Sequence, residues 1–297
     1  MSLPPVSRPV RSLPAGRHHL DLGRRTLIMG VLNITPDSFS DGGRYLSPAA
    51  ARDHALRLVA EGADILDIGG ESTRPFSEGV SESVELQRII PVIEELVPDL
   101  PVPISIDTSK AEVARQAVEA GAAIINDVTA LRHDPEMAHL AAETGAPVVL
   151  MHMKGAPRTM QESPEYRDAP ADIIDFLRNI AARARDAGIR PDRIILDPGI
   201  GFGKTVRHNL ELIARLDELA ALGYPVLVGT SRKAFIRRIL TADGGSEPAP
   251  DSAAAGRGTL ATVCAAALNG ADIVRVHDVA AARECLDVLD AIAAAGS

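Results

Sequence analysis

Apolar positions along the chain fall into two alternating kinds of stretch. Ala-rich stretches repeat at helical spacing, as where Ala51, Ala55, Leu58 and Val59 stand at i, i+4, i+7 and i+8. Short continuous apolar runs follow them, and five of these runs open the same way: a glycine, two residues, then the run, at 62–66, 121–125, 145–149, 223–227 and 270–274. A glycine after a helical stretch adopts the left-handed conformation at little cost and stops the helix. Each unit therefore reads as helix, stop, tight turn and strand. Three further runs, Leu27–Asn33, Ile104–Asp107 and Ile194–Asp197, bring the strands to eight. Helical patterns separate them at about 50–60, 84–97, 110–120, 135–144, 171–187, 206–221 and 253–268, with a last one from 279. Eight alternating strand–helix units require parallel strands joined by right-handed crossovers. The predicted fold is an α/β single domain, a (β/α)8 TIM barrel over residues 26–297 with an N-terminal extension of 1–25 laid against the barrel's N-terminal end. An open doubly wound sheet would give a similar string and is the alternative. The Pro/Gly-rich stretch 241–251 reads as a polar, mobile loop.

Composition agrees with buried parallel strands. Hydrophobic residues make up 46% of the 297 residues but aromatics only 3%, with no Trp, so the core must be built from Ala, Val, Ile and Leu. A net charge of −9 argues against a nucleic-acid or membrane-surface protein, which would show a basic face. No apolar run reaches the length of a membrane span, and residues 1–25 contain no secretory signal. The chain reads as cytoplasmic. Cys264 and Cys285 leave a single disulfide open, but buried free thiols in a reducing compartment are the expectation.

Barrels place their chemistry at the C-terminal ends of the strands. In order, those ends deliver Asn33 followed by 35–43; 69–75 with Thr73, Arg74 and Pro75; Asp107; Asn126 and Asp127; Met151, His152 and Met153; Asp197 running into the glycine-rich 198–204; Ser231, Arg232 and Lys233; and Arg275, His277 and Asp278. Any one polar residue there can be an N-cap for the next helix. All eight strand ends, with Asn33, Arg74, Lys233 and Arg275 among them, exceed what capping needs, so the rim is read as a site. Asp107, Asn126 and Asp197 should converge at the barrel mouth, where carboxylates without donors would protonate. A flat heterocycle with an aminopyrimidinone edge offers paired N–H donors to such a carboxylate. Lys233, Arg74, Arg275 and His277 supply positive charge suited to an anionic leaving group or a carboxylate. Asn33 is a neutral oxygen ligand of the kind found around Mg²⁺ when substrate phosphates and water complete the shell. Together these point to an aromatic diphosphate ester.

Weaker motif readings fall away. Gly203-Lys204-Thr205 ends like a P-loop, but Pro198 stands where the motif's first glycine belongs. Gly199, Gly201 and Gly203 miss the dinucleotide spacing and read as a turn that lets backbone approach a ligand or another loop. His152 and His277 lack further ligands at metal spacing, and His152 reads as a satisfied polar residue at the rim. Ser231 has no nucleophile elbow around it and is read as a substrate contact.

The segments 29–43 (MGVLNITPDSFSDGG) and 70–75 (GESTRP) resemble the two signatures of the dihydropteroate synthases. The motifs at 105–108, 126–128, 150–155, 197–204, 229–233 and 275–279 continue the likeness in order, so it covers roughly 25–290 and all eight strand ends. The resemblance implies condensation of 6-hydroxymethyl-7,8-dihydropterin diphosphate with p-aminobenzoate. It implies that Asp107, Asn126, Met151, Asp197, Phe202 and Lys233 bind the pterin, with Arg275 on its ring face. By the same analogy Asn33 lies near Mg²⁺ and the diphosphate, Arg275 and His277 help hold the anion, and Phe39, Thr73, Arg74, Pro75 and Ser231 line the p-aminobenzoate pocket with Phe202 and Lys233. The catalytic set it implies is Asn33, Asp107, Lys233, Arg275 and His277. It further implies a dissociative reaction without a strong general base, loops at 34–45 and 70–80 that close over the substrates, and a homodimer. One departure is Phe76-Ser77, where the family commonly carries small residues. A shifted sulfonamide affinity is the expectation there, and equal inhibition constants for the parent and Phe76→Gly would dispose of it. Two rival readings remain: a pterin-binding methyltransferase domain, which has no use for a diphosphate site, and a non-catalytic pterin-binding paralogue.

Overall fold

The computed structural model describes residues 8–34, 48–72, 79–155, 160, 164–241 and 245–295. An antiparallel hairpin of β1 (Arg11–Ala15) and β2 (His18–Leu22) precedes the main sheet. That sheet has eight parallel strands: β3 (Leu27–Asn33), β4 (Ile65–Gly69), β5 (Ile104–Asp107), β6 (Ile124–Asp127), β7 (Val148–Met151), β8 (Ile194–Asp197), β9 (Leu227–Val228) and β10 (Ile273–Val276). Hydrogen-bonded neighbours run β8-β7-β6-β5-β4-β3-β10-β9. The ends of that row meet where Leu196 bridges Val226 in parallel and its N–H donates to Pro225 O at 2.9 Å. The sheet is a nearly closed (β/α)8 barrel. The five glycines of the repeat, Gly62, Gly121, Gly145, Gly223 and Gly270, all have positive φ, which is why a residue without Cβ recurs there.

Around the barrel lie α1 (Pro48–Ala60), α2 (Glu82–Leu96), α3 (Ala111–Glu119), α4 (Glu136–Thr144), α5 (Ala169–Asp186), α6 (Val206–Ala214), α7 (Leu216–Ala220), α8 (Ala234–Leu240), α9 (Ala253–Leu268) and α10 (Val279–Ala295). Three details differ from the sequence reading. The helix expected over 206–221 is broken at Arg215, whose φ of −113° is not helical, into α6 and α7. Between β9 and α9 an extra helix, α8, buries Phe235 and Ile236; at seven residues it is too short to show periodicity. The thiols of Cys264 and Cys285 are free, but half-buried and not fully buried. Among the described residues no helix is long and apolar enough to cross a membrane.

What positions the site is the two-residue period of the strands. Residues pointing out toward the helices, such as Ile28, Leu66, Ile106, Ile125, Leu150, Leu196 and Val274, join one large apolar core. Those pointing into the barrel form a second, separate cluster: Leu27, Met29, Ile65, Ile124, Val149, Ile195, Leu227 and Ile273. Leu13, Ala15, Leu20 and Leu22 of the hairpin belong to that inner cluster, so β1 and β2 plug the lower end. One further period along, the inward residues change character. Ile65 is followed by Asp67, Ser105 by Asp107, Ile124 by Asn126, Ile195 by Asp197 and Ile273 by Arg275. Five of the eight strands thus bring a polar side chain to the C-terminal mouth, four of them directly above an apolar one, while Val31 and Met151 keep β3 and β7 apolar at that level.

Candidate active site

At the centre of the mouth four residues from four strands are joined. Arg275 (β10) donates from Nε to Asp67 Oδ2 at 2.6 Å and from its terminal nitrogen to Asp107 Oδ2 at 2.9 Å. Asn126 (β6) donates its amide to Asp67 at 3.1 and 3.3 Å. Asp67 is fully buried and is satisfied from both sides. Asp107 is not: its Oδ1 is buried and has no hydrogen-bond partner among the described residues. Burial pushes the Asp107 carboxyl up to about 7; Arg275 opposes the rise, while the charges of Asp67, Glu85 and Asp127 add to it. A buried acceptor without a donor is costly, and an N–H-bearing ligand is one way to satisfy it.

The other side of the mouth is shaped by the loop after β8. Asp197 is buried and in register with Met151. Its Oδ1 accepts from Gly199 N at 2.6 Å, and burial raises its pKa against the opposing pull of Lys233, the Gly199 N–H, Lys204 and Arg275. Lys233 reaches over from the β9 end, donates to Ile200 O, and sets its ammonium 4.4 Å from the Phe202 ring centroid. Burial lowers its pKa to about 8, with Asp197 opposing and Arg275 reinforcing the shift. Phe202 packs on a buried apolar cluster of Val128, Met151, Met153 and Met160, which gives a flat ring an apolar floor beside the carboxylates. Gly199 has φ +66°, and a Cβ there would stand 1.9 Å from His152 O, so no other residue fits.

The structure therefore brings Asp107, Asn126, Asp197, Met151, Phe202, Lys233 and Arg275 to one end of the barrel. Ser231 and His277, given to different substrates by the sequence reading, are bonded to each other: His277 Nδ1 lies 2.9 Å from Ser231 Oγ, which also accepts from His277 N at 3.3 Å. Asn33 ends β3 opposite Gly69, near the Asp107 side of the rim. Phe39, Thr73, Arg74, Pro75 and Phe76 lie outside the described residues. Some strand-end residues do cap, as the simpler reading had it. Asp278, after β10, caps α10 by accepting from Ala281 N at 3.3 Å; Asp127 instead closes the turn after β6 by accepting from Thr129 N and Leu131 N, and Thr205, beyond the β8 loop, caps α6 through His208 N.

Asp67 was missed, although a charged residue inside the otherwise apolar 65–69 run is a visible signal. Lys204, set aside with the false P-loop, is buried under the β8 loop and touches His152. Lys110, just past β5, bonds both Glu71 and the fully buried Glu85. Among the described residues no three His, Cys, Asp or Glu side chains are grouped to hold a metal ion. A divalent cation at this mouth would need its oxygens from Asn33 and from an anionic ligand.

Comparison with known proteins points to pterin-binding enzymes. The family described as pterin binding enzyme matches residues 29–277. A dihydropteroate synthase from Synechocystis is 49% identical over 280 residues, covering 94% of each chain. The solved dihydropteroate synthase of Xanthomonas albilineans with 4-aminobenzoic acid superposes with a TM-score of 0.87 at 45% identity, over 96% of this chain and 98% of that one. That of Yersinia pestis, in complex with a sulfonamide drug, gives 0.89 at 43% identity over 96% and 100%.

Proposed function

The chain belongs to the dihydropteroate synthase family of pterin-binding enzymes, and from that premise we propose how its barrel mouth divides the work. The reaction joins 6-hydroxymethyl-7,8-dihydropterin diphosphate to p-aminobenzoate, giving 7,8-dihydropteroate and diphosphate, so the protein is a pterinylmethyl transferase. Pterin recognition falls to Asp107, Asn126, Asp197, Lys233, Met151 and Phe202. The single observation that carries this is Asp107 Oδ1, a buried carboxylate oxygen at the mouth with no donor among the described residues. A pterin N–H would supply the missing bond, and the Met151–Phe202 floor would take the ring face. Arg275, held between Asp67 and Asp107, is at hand for the ring face and the leaving anion.

In the dissociative course the methylene C–O bond breaks with its electron pair on the departing diphosphate. The aniline nitrogen's lone pair then forms the C–N bond, and the ammonium proton is lost to diphosphate or solvent. No strong base is needed, and the Ser231–His277 pair is assigned to substrate contact and anion support. Thr73, Arg74, Pro75 and Phe39 are assigned to the p-aminobenzoate pocket on the sequence likeness. Electrostatic support of the leaving group is the main contribution of Lys233, Arg275 and His277. Mg²⁺ fits as an ion carried with the diphosphate, held by Asn33, phosphate oxygens and water, where it would offset phosphate charge.

Residues 1–25 are read as an extension and 26–297 as the pterin-binding barrel. A homodimer is supported by Val288 and Ile292, exposed one turn apart on α10, and a cytoplasmic location by the free thiols. The test is diphosphate release from the pterin diphosphate with and without p-aminobenzoate and Mg²⁺. Mg²⁺-dependent release that yields dihydropteroate is expected. Pterin binding without turnover would move the chain to a binding or methyltransferase role.

A further inference from the structure

Lys204 takes no part in the assignment above, yet it is one of the most buried charged residues of the chain, 2% exposed. Its Nζ donates to Gly199 O at 2.8 Å, Phe202 O at 2.9 Å and His152 O at 3.3 Å, and lies 3.0 Å from His152 Nδ1. Four acceptors and no donor surround it, which suits an ammonium with three hydrogens and no lone pair. The imidazole can accept, because burial and the nearby Lys204 and Arg132 charges hold His152 down to about 2, leaving it neutral.

The identity of those partners is informative. Asp197 is held at two points: its main-chain oxygen accepts from His152 N at 3.0 Å and its Oδ1 from Gly199 N at 2.6 Å. The two residues that hold Asp197 are therefore two of the three whose carbonyls Lys204 holds. No room is left for a different arrangement, since a Cβ on Gly199 or Gly203 would meet His152 O at 1.9 Å or Lys154 O at 2.4 Å. The β7 and β8 loops are locked together around one buried ammonium. Burial presses the Lys204 pKa well below the usual lysine value, Asp197 pulls it back up and Lys233 adds to the fall. A charge placed at that cost in desolvation calls for a function that an apolar residue would not serve.

We propose that Lys204 is a positioning residue for pterin binding: it fixes the peptide groups of His152 and Gly199 so that Asp197 presents its carboxylate to the ring in one orientation. This rests on the assignment of Asp197 to the pterin, so the experiment separates the two. 6-Hydroxymethyl-7,8-dihydropterin is titrated into the parent, Asp197→Asn, Lys204→Met and the double variant, at a temperature well below each variant's melting point. Asp197→Asn should weaken binding about a hundredfold, and Lys204→Met about tenfold, as small misplacements of a binding group do. In the Asp197→Asn background Lys204→Met should cost less than about threefold, because coupled residues are not additive. In turnover, Lys204→Met should raise KM for the pterin diphosphate far more than it lowers kcat.

Unchanged affinity in Asp197→Asn would defeat the pterin assignment itself. A weakened Asp197→Asn beside a folded Lys204→Met that binds like the parent, or that loses the same factor in both backgrounds, would overturn the positioning role alone. If Lys204→Met does not fold, Lys204→Gln, which keeps two N–H donors, takes its place and should bind about threefold more weakly than the parent, the loss again vanishing in the Asp197→Asn background. Failure of both variants to fold would also overturn the proposal, by making Lys204 a residue of the fold.

Discussion

The lower and upper halves of the barrel interior are made by the same strands, one side-chain period apart, and they obey opposite rules. Below, Leu27, Met29, Ile65, Ile124, Val149, Ile195, Leu227 and Ile273 close on the hairpin residues Leu13, Leu20 and Leu22, and apolar contact holds the layer together around the buried hydroxyl of Ser105. Above, Asp67, Asp107, Asn126 and Arg275 are buried or half-buried polar groups that depend on one another, Asp197 is tied to the β8 loop beside them, and one oxygen of Asp107 has no partner among the described residues. The lower half is where the barrel's stability lies. The upper half gives up stability to keep acceptors ready for a ligand, as functional sites do. Since both halves hang on the same strands, a substitution in one can be compared with a substitution one rung away in the other.

The largest effect is expected from removing the shared cation. Arg275→Met leaves Asp67 and Asp107 buried without a counter-charge, which should cost about 3–5 kcal/mol of stability by denaturant titration and abolish turnover. Arg275→Lys should recover little, since a single ammonium does not bridge both carboxylates as a planar guanidinium does. On the lower side, Leu22→Ala opens a cavity under the plug and should cost about 2–5 kcal/mol. KM for both substrates should stay as it is, and a changed KM would break the separation of the two halves.

A pH profile sharpens the comparison further. Asp107 loses its proton as pH rises through about 7, and Lys233 loses its own as pH rises through about 8. If the ring needs the ionised carboxylate and the anion needs the ammonium, kcat/KM should rise through the first value and fall through the second. Stability runs differently. The raised Asp107 pKa favours the folded state below the unfolded value of 3.8, a benefit lost as pH climbs to about 7. The depressed Lys233 pKa makes stability recover as pH rises from about 8 toward 10.5. Differential scanning calorimetry across that range should show the dip between the two windows, and a flat stability curve would contradict it.

Much of this division was legible in the sequence, and the exceptions have physical causes. The glycine stops gave five of the strands and the strand ends gave the rim. Asp107, Asn126 and Asp197 were legible because a polar residue at the end of a buried strand has to be accounted for. Capping could not be told from ligand contact by residue type. The structure separates them by partner: Asp127 and Thr205 bond two to four residues away, whereas Asp67 and Asp107 bond Arg275 at the far end of the chain. Asp67 hid because it lies inside a strand and not at its end. Lys204 hid because a lysine beside glycines suggests a phosphate loop, and only packing shows that its ammonium turns inward. The hairpin escaped because its apolar alternation spans just five residues per strand, and α8 because it makes fewer than two full turns.

The most direct test is the dissociation constant of 6-hydroxymethyl-7,8-dihydropterin, measured calorimetrically at pH 8 for the parent, Asp107→Asn and Leu22→Ala. Losing the charged acceptor should weaken binding about a hundredfold in Asp107→Asn, the scale of a hydrogen bond to a charged group. Leu22→Ala, although less stable, should bind within about twofold of the parent, as distant and independent sites do. Equal losses in the two variants, or none in Asp107→Asn, would mean that the upper rung of the barrel is not where the pterin is held.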